Sequence, residues 1–484
     1  MVFSSVIFIF LFLPIVILAY RFIPKKNTIW QNIFLLLVSS IFYYYGEQEK
    51  ILLMYFVVLI NYLTALYISK NKDFYYYKYF TRKAALFFCL FICIGLLYYY
   101  KYFNFSIEIF NALVGGSLQL NKIEDIVLPL GISFYTFHVL SYTLDVYYGN
   151  MVVEKNLLNF ATYVLMFPQL VAGPIVRYKD IQQQFYNRII TGVGFFNGVR
   201  RFCFGLSKKV LLANTLAVYV DQIFATEVVQ LSFFDCWVAA IAYTLQIYFD
   251  FSGYSDMAIG IALMFGFHYK ENFNYPYIAK TAGEFWRRWH ISLSSWLRDY
   301  VYIHLGGNRC STIKSYRNVI LVFLVSGLWH GANMTFVCWG LIYGIFIVFE
   351  NMGLKKFLAN RKILSHCYLL TLVTSAWVIF RADTLEYAKS FIMKMYLVSG
   401  DYILSFHNVP ENNVIFALVI GSILAYDWRV IYKNVVYRLA KINSRSSVFL
   451  TTKILNFILA ILLLALSISS IISSSHNPFI YFRF

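Results

Sequence analysis

The sequence predicts an all-α integral membrane protein with about 11–12 transmembrane or re-entrant helices. Hydrophobic residues make up 60% of the 484 residues, aromatic residues make up 20%, and the mean hydropathy is +0.64. Only 13% of the residues are charged, against about 25% in a soluble domain. A water-soluble globule of this length cannot hide so much apolar surface. We therefore expect one membrane domain over residues 1–484.

Apolar runs recur along the whole chain and predict the helices in order. They lie near residues 3–20, 30–46, 51–69, 84–102, 126–146, 157–176, 203–220, 232–267, 319–349, 368–380, 413–426 and 454–473. We divide them into N-terminal helices (1–125), a catalytic core (126–349) and C-terminal helices (350–484). The first run has no basic residue before it, but Arg21, Lys25 and Lys26 follow it. This pattern favours a first transmembrane helix with cytoplasmic cations over a signal peptide.

The chain is basic, with 41 Lys and Arg against 23 Asp and Glu. In a membrane protein this excess is typical of cytoplasmic loops beside anionic lipid. The basic residues are dispersed, and no soluble recognition module is visible, so nucleic-acid binding is not expected. If every apolar run crossed the membrane once, the loops rich in Lys and Arg would not all lie on the same side of the membrane. The runs at 232–267 and 319–349 are therefore the candidates for a doubled or re-entrant segment.

His330 lies inside the run 319–349, which is too long for one span and too short for two. Gly327 and Gly331 flank this histidine and indicate a broken helix. An ionisable residue at membrane depth is by default a candidate functional residue. A structural hydrogen bond and a gating role are the alternatives.

For several other polar residues of the core region, the sequence allows either a structural or a functional role. His138 and Asp145 share one face of a predicted helix, about 10 Å apart along its axis, too far for direct contact. Pro168 and Pro174 frame Gln169 and predict a bend or a helix end at 167–177. There, Gln169 either lines a cavity or has no chemical role.

Two carboxylates, Asp250 and Asp256, lie in the long run 232–267. Carboxylates in a membrane are costly unless they are paired or hydrated. We expect Ser252-Gly253 to break the helix between them. Structural hydrogen bonding and a direct role in chemistry are both open for this pair.

Residues 284–304 show the pattern of an amphipathic helix lying in the membrane interface, with tryptophans inward and arginines outward. Arg287 and Arg288 either anchor the protein to anionic lipid or form a basic cytoplasmic mouth for a polyanionic donor such as a nucleotide thioester. His290 lies at the start of this helix, forty residues before His330.

The absence of several known motifs excludes some classes of reaction. No Gly-x-Ser-x-Gly or phosphate-binding loop occurs, and the seven cysteines are too scattered for a zinc site, so no metal is expected. A buried neutral imidazole at His330 suits a general base that deprotonates a hydroxyl as it attacks a thioester. His290 or Asn333 is then available to orient a partner or the substrate.

Several motifs resemble the membrane-bound O-acyltransferases, especially the bacterial branch that O-acetylates alginate and peptidoglycan. The resemblance runs nearly end to end, from Met-Val-Phe-Ser-Ser (1–5) to Pro-Phe-Ile-Tyr-Phe-Arg-Phe (478–484). The internal motifs are Leu-Pro-Leu-Gly-Ile-Ser-Phe-Tyr (128–135), Phe-Pro-Gln-Leu-Val-Ala-Gly-Pro (167–174), Tyr-Phe-Asp-Phe-Ser-Gly-Tyr-Ser-Asp-Met-Ala (248–258), Glu-Phe-Trp-Arg-Arg-Trp-His-Ile-Ser-Leu-Ser (284–294) and Gly-Leu-Trp-His-Gly-Ala-Asn (327–333).

The resemblance implies a ring of helices around a central funnel or tunnel in a bacterial inner membrane. It places the essential histidine of the family at His330 and the second histidine at His290. It implies a cytoplasmic thioester donor such as acetyl-CoA, no bound cofactor, and an outward glycan acceptor reached through an extracytoplasmic SGNH-type transferase. For substrate binding we select Arg287, Arg288, Asn333, Trp329, Asp250 and Gln169.

The expected function is therefore O-acyl transfer, most simply O-acetyl transfer, to a polysaccharide or peptidoglycan. D-alanyl transfer from a carrier protein to a teichoic-acid-type polymer is an alternative within the same chemistry. A transporter or channel uses the same broken helix and intramembrane charges. A non-catalytic scaffold for a secreted transferase is the third alternative, and it makes His330 dispensable.

Overall fold

Long apolar segments without strand periodicity fold into helices throughout the described part of the chain. The computed structural model describes residues 2–24, 27–70, 76–115, 119–124, 126–397, 408–442 and 445–473, and these contain no strand. The all-α prediction is therefore confirmed. The expected cytoplasmic cations Lys25 and Lys26 and the C-terminal motif 478–484 lie outside the described residues.

Four of the five N-terminal helices correspond to the first four predicted runs, and the last of the five lies outside every predicted run. They are α1 (Leu13–Arg21), α2 (Thr28–Glu47), α3 (Ile51–Lys70), α4 (Tyr76–Leu97) and α5 (Phe103–Val114). A π-helical turn, Phe8–Phe12, precedes α1, and a second, Tyr98–Tyr102, joins α4 to α5. The extra residue in a π turn rotates the side chains that follow it, and such turns frequently lie at functional sites.

The core region contains most of the broken and irregular segments. Its helices are α6 (Ile132–Tyr148), α7 (Leu157–Leu165), α8 (Phe167–Leu170), α9 (Tyr178–Ile181), α10 (Gly192–Ser207), α11 (Asn214–Ala225), α12 (Phe233–Met264), α13 (Ala282–Arg288), α14 (Ile291–Leu297), α15 (Thr312–His330) and α16 (Met334–Phe349). Turns of π type follow α10 (Lys208–Ala213) and α14 (Arg298–Tyr302), and 3₁₀ turns are Gln48–Lys50, Gln182–Phe185, Val228–Gln230 and Pro276–Ile278. The bend predicted at 167–177 is confirmed by the end of α7, the single turn α8 and the irregular segment after it.

The C-terminal helices pack around this core. They are α17 (Lys355–Ala359), α18 (Lys362–Arg381), α19 (Leu385–Tyr396), α20 (Asn412–Leu424), α21 (Arg429–Ile442) and α22 (Arg445–Ser473), and the π turn Glu350–Leu354 precedes α17. By length and composition, six described helical segments can cross a membrane, or seven if α20 and α21, bent by 67°, count as one.

The run 232–267, one of the two candidates for a doubled or re-entrant segment, does not double back. α12 is a single 32-residue helix that passes through Ser252 and Gly253 without a break. Gly253 instead forms a packing notch, because a Cβ on it would lie 2.7 Å from the backbone oxygen of Gly205 in α10. Small residues at such contacts let membrane helices approach closely. The predicted break at this glycine is therefore wrong.

The run 319–349 does fold as a hairpin. α15 ends at His330, the chain is extended at Gly331, and α16 begins at Met334. The two helices approach so closely that a Cβ on Gly327 would lie 2.3 Å from the backbone oxygen of Phe336. The predicted break beside His330 is confirmed, and it leaves the imidazole at the last residue of α15.

The predicted helix 284–304 is interrupted. α13 ends at Arg288 and α14 begins at Ile291, with His290 between them in the left-handed region at φ 43°. The loop before α13 explains the break, because Asn274 N–H donates to the Arg288 carbonyl and Ile291 N–H donates to the Asn272 carbonyl, both at 2.9 Å. The expected burial of the tryptophan face is confirmed, since Trp286, Trp289 and Trp296 are buried.

Candidate functional site

The two candidate histidines meet at one indole ring. The centroid of the Trp329 ring lies 6.0 Å from that of His290 and 5.0 Å from that of His330. Both histidines are at most 2% exposed. The broken helix 282–297 and the hairpin of α15 and α16 thus bring together residues forty positions apart in the sequence.

Asn272 and Ser292 set the environment of His290. The Asn272 amide nitrogen donates to Ser255 Oγ (3.1 Å), which directs its Oδ1 towards His290 Nδ1 (3.2 Å). Ser292 donates to the same oxygen through its hydroxyl (2.8 Å). An amide oxygen only accepts, so Nδ1 must carry the proton and Nε2 the lone pair. Within the described part of the chain, His290 Nε2 has no hydrogen-bond partner.

The backbone of His290 is also strained. A positive φ is uncommon for residues other than glycine, and it occurs here at a buried histidine. Such strain persists where the surroundings over-determine the conformation, and it clusters at functional sites. The rings of Phe251 and His290 pack at an interplanar angle of 84°, with centroids 4.6 Å apart. The structure therefore holds His290 in one orientation.

Aromatic rings surround His330 on the other side of the indole. Trp339 and Phe380 meet its imidazole edge-on, with centroid distances of 5.1 and 5.3 Å. Trp329 itself donates from its indole nitrogen to the Ser133 carbonyl (3.4 Å). This apolar wall excludes water from most of the imidazole, which strengthens electrostatic interactions at the site.

His330 also lines a small chamber of about 110 Å³. Its other walls are Lys101, the first turn of α6 from Gly131 to Phe134, the preceding segment 128–130, Val171 and Trp329. Lys101 lies in the π turn after α4, and its ammonium donates to the Trp329 carbonyl (2.6 Å) and to Ser133 Oγ (3.2 Å). Sequence reasoning missed this residue, although a cation near the end of the apolar run 84–102 was a usable signal.

Two larger cavities lie on the side of His290. One of about 1330 Å³ is lined by Asn272 together with Arg201, Lys208, Glu271 and Arg429, among others. The second, of about 410 Å³, is lined by Ser292 together with Arg177, Lys270, Arg298 and Asp299, among others. Asn272, in the first cavity, and Ser292, in the second, both also contact His290. The two cavities therefore reach the shell of His290, whereas the small chamber reaches His330.

The charges around the 410 Å³ cavity are arranged in pairs. Arg177 Nη1 lies 2.6 Å from Asp299 Oδ2, and Arg298 Nε lies 2.6 Å from Asp299 Oδ1. Burial works against ionisation of Asp299, but the hydrogen bonds from Arg298 and Arg177 outweigh it and hold the pKa of this carboxyl below its ordinary value. The carboxylate therefore orients two guanidinium groups at the cavity wall.

The remaining predicted site residues are not among those described above around the two histidines and the three cavities. Arg287 is exposed, and Arg288 is bonded to Glu284 (3.0 Å) and to the Asn274 carbonyl (3.1 Å). Neither arginine lines one of the three cavities. Asn333 caps α16 by accepting from Thr335 N–H and donates to the Asp383 carbonyl.

Three further predicted residues are held by contacts within the bundle. The Asp250 carboxylate lies 2.7 Å from the Lys209 ammonium, and both side chains are 2% exposed. The amide of Gln169 donates to the Tyr163 carbonyl. Asp145 accepts from Tyr300 (2.6 Å) and Lys179 (2.9 Å). Asp256 is paired as well, with Arg201 and Lys208.

Comparison with known proteins identifies relatives of one kind. Residues 152–374 match the profile of MBOAT, the membrane-bound O-acyltransferase family. The chain is 40% identical to the probable alginate O-acetylase AlgI of Pseudomonas putida over 497 aligned residues, which cover both chains completely. It is 32% identical to the peptidoglycan O-acetyltransferase of Helicobacter pylori, over the whole of this chain and 98% of that one. It is 28% identical to the teichoic acid D-alanyltransferase of Bacillus subtilis over 47% of this chain and 60% of that one.

Proposed function

Since the chain belongs to the membrane-bound O-acyltransferase family, and is therefore an acyltransferase, we propose that it moves an acetyl group from a cytoplasmic thioester to an extracytoplasmic polysaccharide or peptidoglycan. Acetyl-CoA is the proposed donor, with no bound cofactor, in a bacterial inner membrane. Relatives named for acetyl transfer to alginate and to peptidoglycan match the full chain, and this supports acetyl over D-alanyl.

The observation that carries the proposal is the placement of two histidines on one indole between separate cavities. Pockets for small ligands measure about 300–1,000 Å³, so the cavity of about 1330 Å³ beside His290 has room for a donor and the cavity of about 410 Å³ has room for part of one. We propose that the donor approaches His290 from these cavities and that the acceptor hydroxyl reaches His330 from the small chamber. Arg201, Lys208 and the arginines around Asp299 supply cations for the donor phosphates at the cavity walls. Arg287 and Arg288 line neither cavity and are proposed to attract the donor phosphates from outside them.

The proposed chemistry conserves every proton. His330 takes the proton of the acceptor hydroxyl while the oxygen attacks the thioester carbonyl carbon, and the C–O bond forms. When the C–S bond breaks, the leaving thiolate takes that proton from the imidazolium. General-base catalysis of this type typically contributes about 10²–10⁴-fold. The Nε2 atom of His290 is directed away from Asn272. His290 is proposed to contact the donor through this atom while the donor moves to the position where its thioester reacts.

An extracytoplasmic SGNH-type transferase is the proposed partner that passes the acetyl group to the glycan. The position of Arg21 at the end of α1 supports the proposed orientation, because cations favour the cytoplasmic end of a span. In that orientation α2 and α4 carry Glu47 and the chamber residue Lys101 towards the outer side. The small chamber is then the side from which the partner or the glycan approaches.

His330→Ala in the full chain tests the proposal. We expect the variant to accumulate in the membrane at the wild-type level and to abolish acetylation of the cell's surface glycan, measured by mass analysis of the released polymer. Unchanged acetyl content in this variant overturns the catalytic role of His330 and favours a scaffold. Consumption of acetyl-CoA by the purified wild-type protein separates acyl transfer from transport, and D-alanine in the polymer in place of acetate identifies the D-alanyl alternative.

A further inference from the structure

Lys101 is a cation in the wall of the chamber that also contains His330. It lies within the apolar segment Phe80–Val114, which is long enough to cross a membrane. A cation at such a position is costly, and intramembrane lysines are conventionally candidates for functional residues. The first turn of α6 lines the same chamber, and the positive end of its helix dipole adds to the positive potential there.

The hydrogen bonds of Lys101 leave part of its donor capacity available. An ammonium has three N–H bonds, and within the described residues two of them are used, by the Trp329 carbonyl and by Ser133 Oγ. Ser133 accepts from Lys101, so its own hydroxyl hydrogen can point elsewhere. The chamber therefore contains two groups that can donate to an oxygen placed beside His330.

The size of the chamber limits what can occupy it. One water needs about 10–15 Å³ of such space, so 110 Å³ accommodates an acetyl group and the end of an acceptor but not a polymer segment. Acyl transfer creates a negative charge on the carbonyl oxygen in its tetrahedral intermediate. Preorganised donors aimed at that oxygen are usually the largest contribution to this kind of catalysis.

We propose that Lys101, assisted by Ser133, stabilises the tetrahedral oxyanion formed when the acceptor hydroxyl attacks the thioester carbonyl beside His330. This inference rests on the proposed function. The carbonyl π pair moves onto the oxygen as the C–O bond forms, and the ammonium and hydroxyl donate to that oxygen. The pair returns to carbon as the C–S bond breaks, and Lys101 keeps its proton throughout.

A purely structural role for Lys101 is the competing explanation. The break after His330 leaves the last carbonyls of α15 without helical partners, and Lys101 satisfies one of them. Tyr102 does the same for the neighbouring carbonyl, donating from its hydroxyl to Leu328 O at 2.8 Å. Tyr102 does not line the chamber. It is therefore a matched control, since both side chains cap α15 and only one faces the site.

The experiment compares Lys101→Gln, Lys101→Arg, Ser133→Ala and Tyr102→Phe with the wild type in membrane vesicles that contain their own acceptor glycan, with acetyl-CoA as the donor. Gln keeps a hydrogen-bond donor for the Trp329 carbonyl but removes the charge. We expect Lys101→Gln to lower kcat by about 10²–10³-fold, the cost of one oxyanion donor, with KM for acetyl-CoA within about threefold. We expect partial recovery with Arg and only a small change for Tyr102→Phe.

The outcomes separate this inference from the proposed function. If His330→Ala abolishes transfer and Lys101→Gln behaves like Tyr102→Phe, only the role of Lys101 is overturned. Equal losses in Lys101→Gln and Tyr102→Phe, together with lower thermal stability in both, establish a capping role and also overturn it. If His330→Ala transfers acetate at the wild-type rate, the proposed function fails and this inference fails with it.

Discussion

The amide oxygen of Asn272 lies 3.2 Å from Nδ1 of His290 and thereby determines which ring nitrogen of this histidine carries its proton. Asn272 cannot turn its amide over without losing the hydrogen bond to Ser255 and the two bonds donated by Ser292 to the same oxygen. The lone pair of His290 therefore stays on Nε2, on the side away from the loop. The amide of Asn272 thus determines both the tautomer and the orientation of the His290 imidazole.

Replacing Asn272 by Leu removes the acceptor while keeping a side chain of similar size. We expect acetylation to fall by about tenfold to 10⁴-fold, because both the tautomer and the orientation of His290 are released. Asn272→Asp keeps an acceptor for Nδ1 and is expected to retain much more activity. The measurement is the initial rate of glycan acetylation in membranes with matched protein levels.

Asn274→Leu is the control for this loop. Asn274 accepts from Arg429 at 2.6 Å, whereas the side-chain hydrogen bonds of His290 among the described residues go to Asn272 and Ser292. Similar losses in the Leu variants at 272 and 274 would mean that the loop as a whole matters, and that the bond to His290 does not.

The break at His330 was predictable because it rests on local chemistry. A run of the wrong length and two glycines around a polar residue are visible in the sequence without any knowledge of the packing. The resemblance added the pairing of His290 with His330, and the structure brings both rings to Trp329. The all-α fold class follows from composition for the same local reason.

The partners of these residues were not predictable, because tertiary contacts decide them. Lys101 and Trp329 are 228 positions apart along the chain. Gly253 has the local signature of a helix breaker, but its contact with Gly205 makes it a packing notch inside a continuous helix. Asn272 precedes His290 by 18 residues, in a loop with no recognisable motif.

The ion pair between Lys209 and Asp250 provides a test of whether Asp250 binds substrate or only supports the fold. Both side chains are 2% exposed, and their charged atoms lie 2.7 Å apart. Lys209→Met leaves a buried carboxylate without its cation, and we expect a loss of about 3–5 kcal/mol in unfolding free energy. The double variant Lys209→Met with Asp250→Leu is expected to recover most of this stability and its acetylation activity.

Denaturant or thermal unfolding in detergent measures the first effect, and glycan acetylation measures the second. Lys122→Met is the control, because the pair of Lys122 and Glu108 is 56% and 47% exposed and exposed pairs contribute about 0–1 kcal/mol. A double variant that is stable but inactive would instead assign Asp250 a direct contact with substrate.

Gly340 sets the spacing between α15 and α16. A Cβ on Gly340 would lie 2.3 Å from the backbone oxygen of Phe323, which no side-chain adjustment relieves. Gly340→Ala is therefore expected to push the helices apart, with a cost of about 1–3 kcal/mol or more, and to displace His330 at the end of α15. We expect a lower melting temperature in detergent together with a loss of acetylation.

Gly95→Ala is the matched control for this substitution. Gly95 lies in α4, and a Cβ on it would meet nothing within 4 Å. The same chemical change should therefore leave melting temperature and activity near wild type. If Gly340→Ala is equally silent, the close approach of the two helices is not required for the site.

Glu350 connects the end of α16 to the helix that precedes His290. Its carboxylate is 4% exposed and accepts from the backbone N–H groups of Ala282 (2.5 Å) and Gly283 (3.0 Å). These are the first residues of α13, whose N–H groups have no helical acceptor. The hydroxyl of Tyr368 donates to the same carboxylate at 3.1 Å.

Glu350→Ala leaves two backbone donors buried without an acceptor, each costing about 1–3 kcal/mol. We expect the variant to unfold at lower temperature, and its acetylation rate to fall further than stability alone explains, because α13 leads directly into the strained backbone of His290. Glu386 is the comparison, since it is exposed in the first turn of α19, where Glu386→Ala should change stability by less than about 0.5 kcal/mol. Equal behaviour of the two alanine variants would show that Glu350 does not hold α13 in place, and the position of His290 would then have to depend on the Asn272 loop alone.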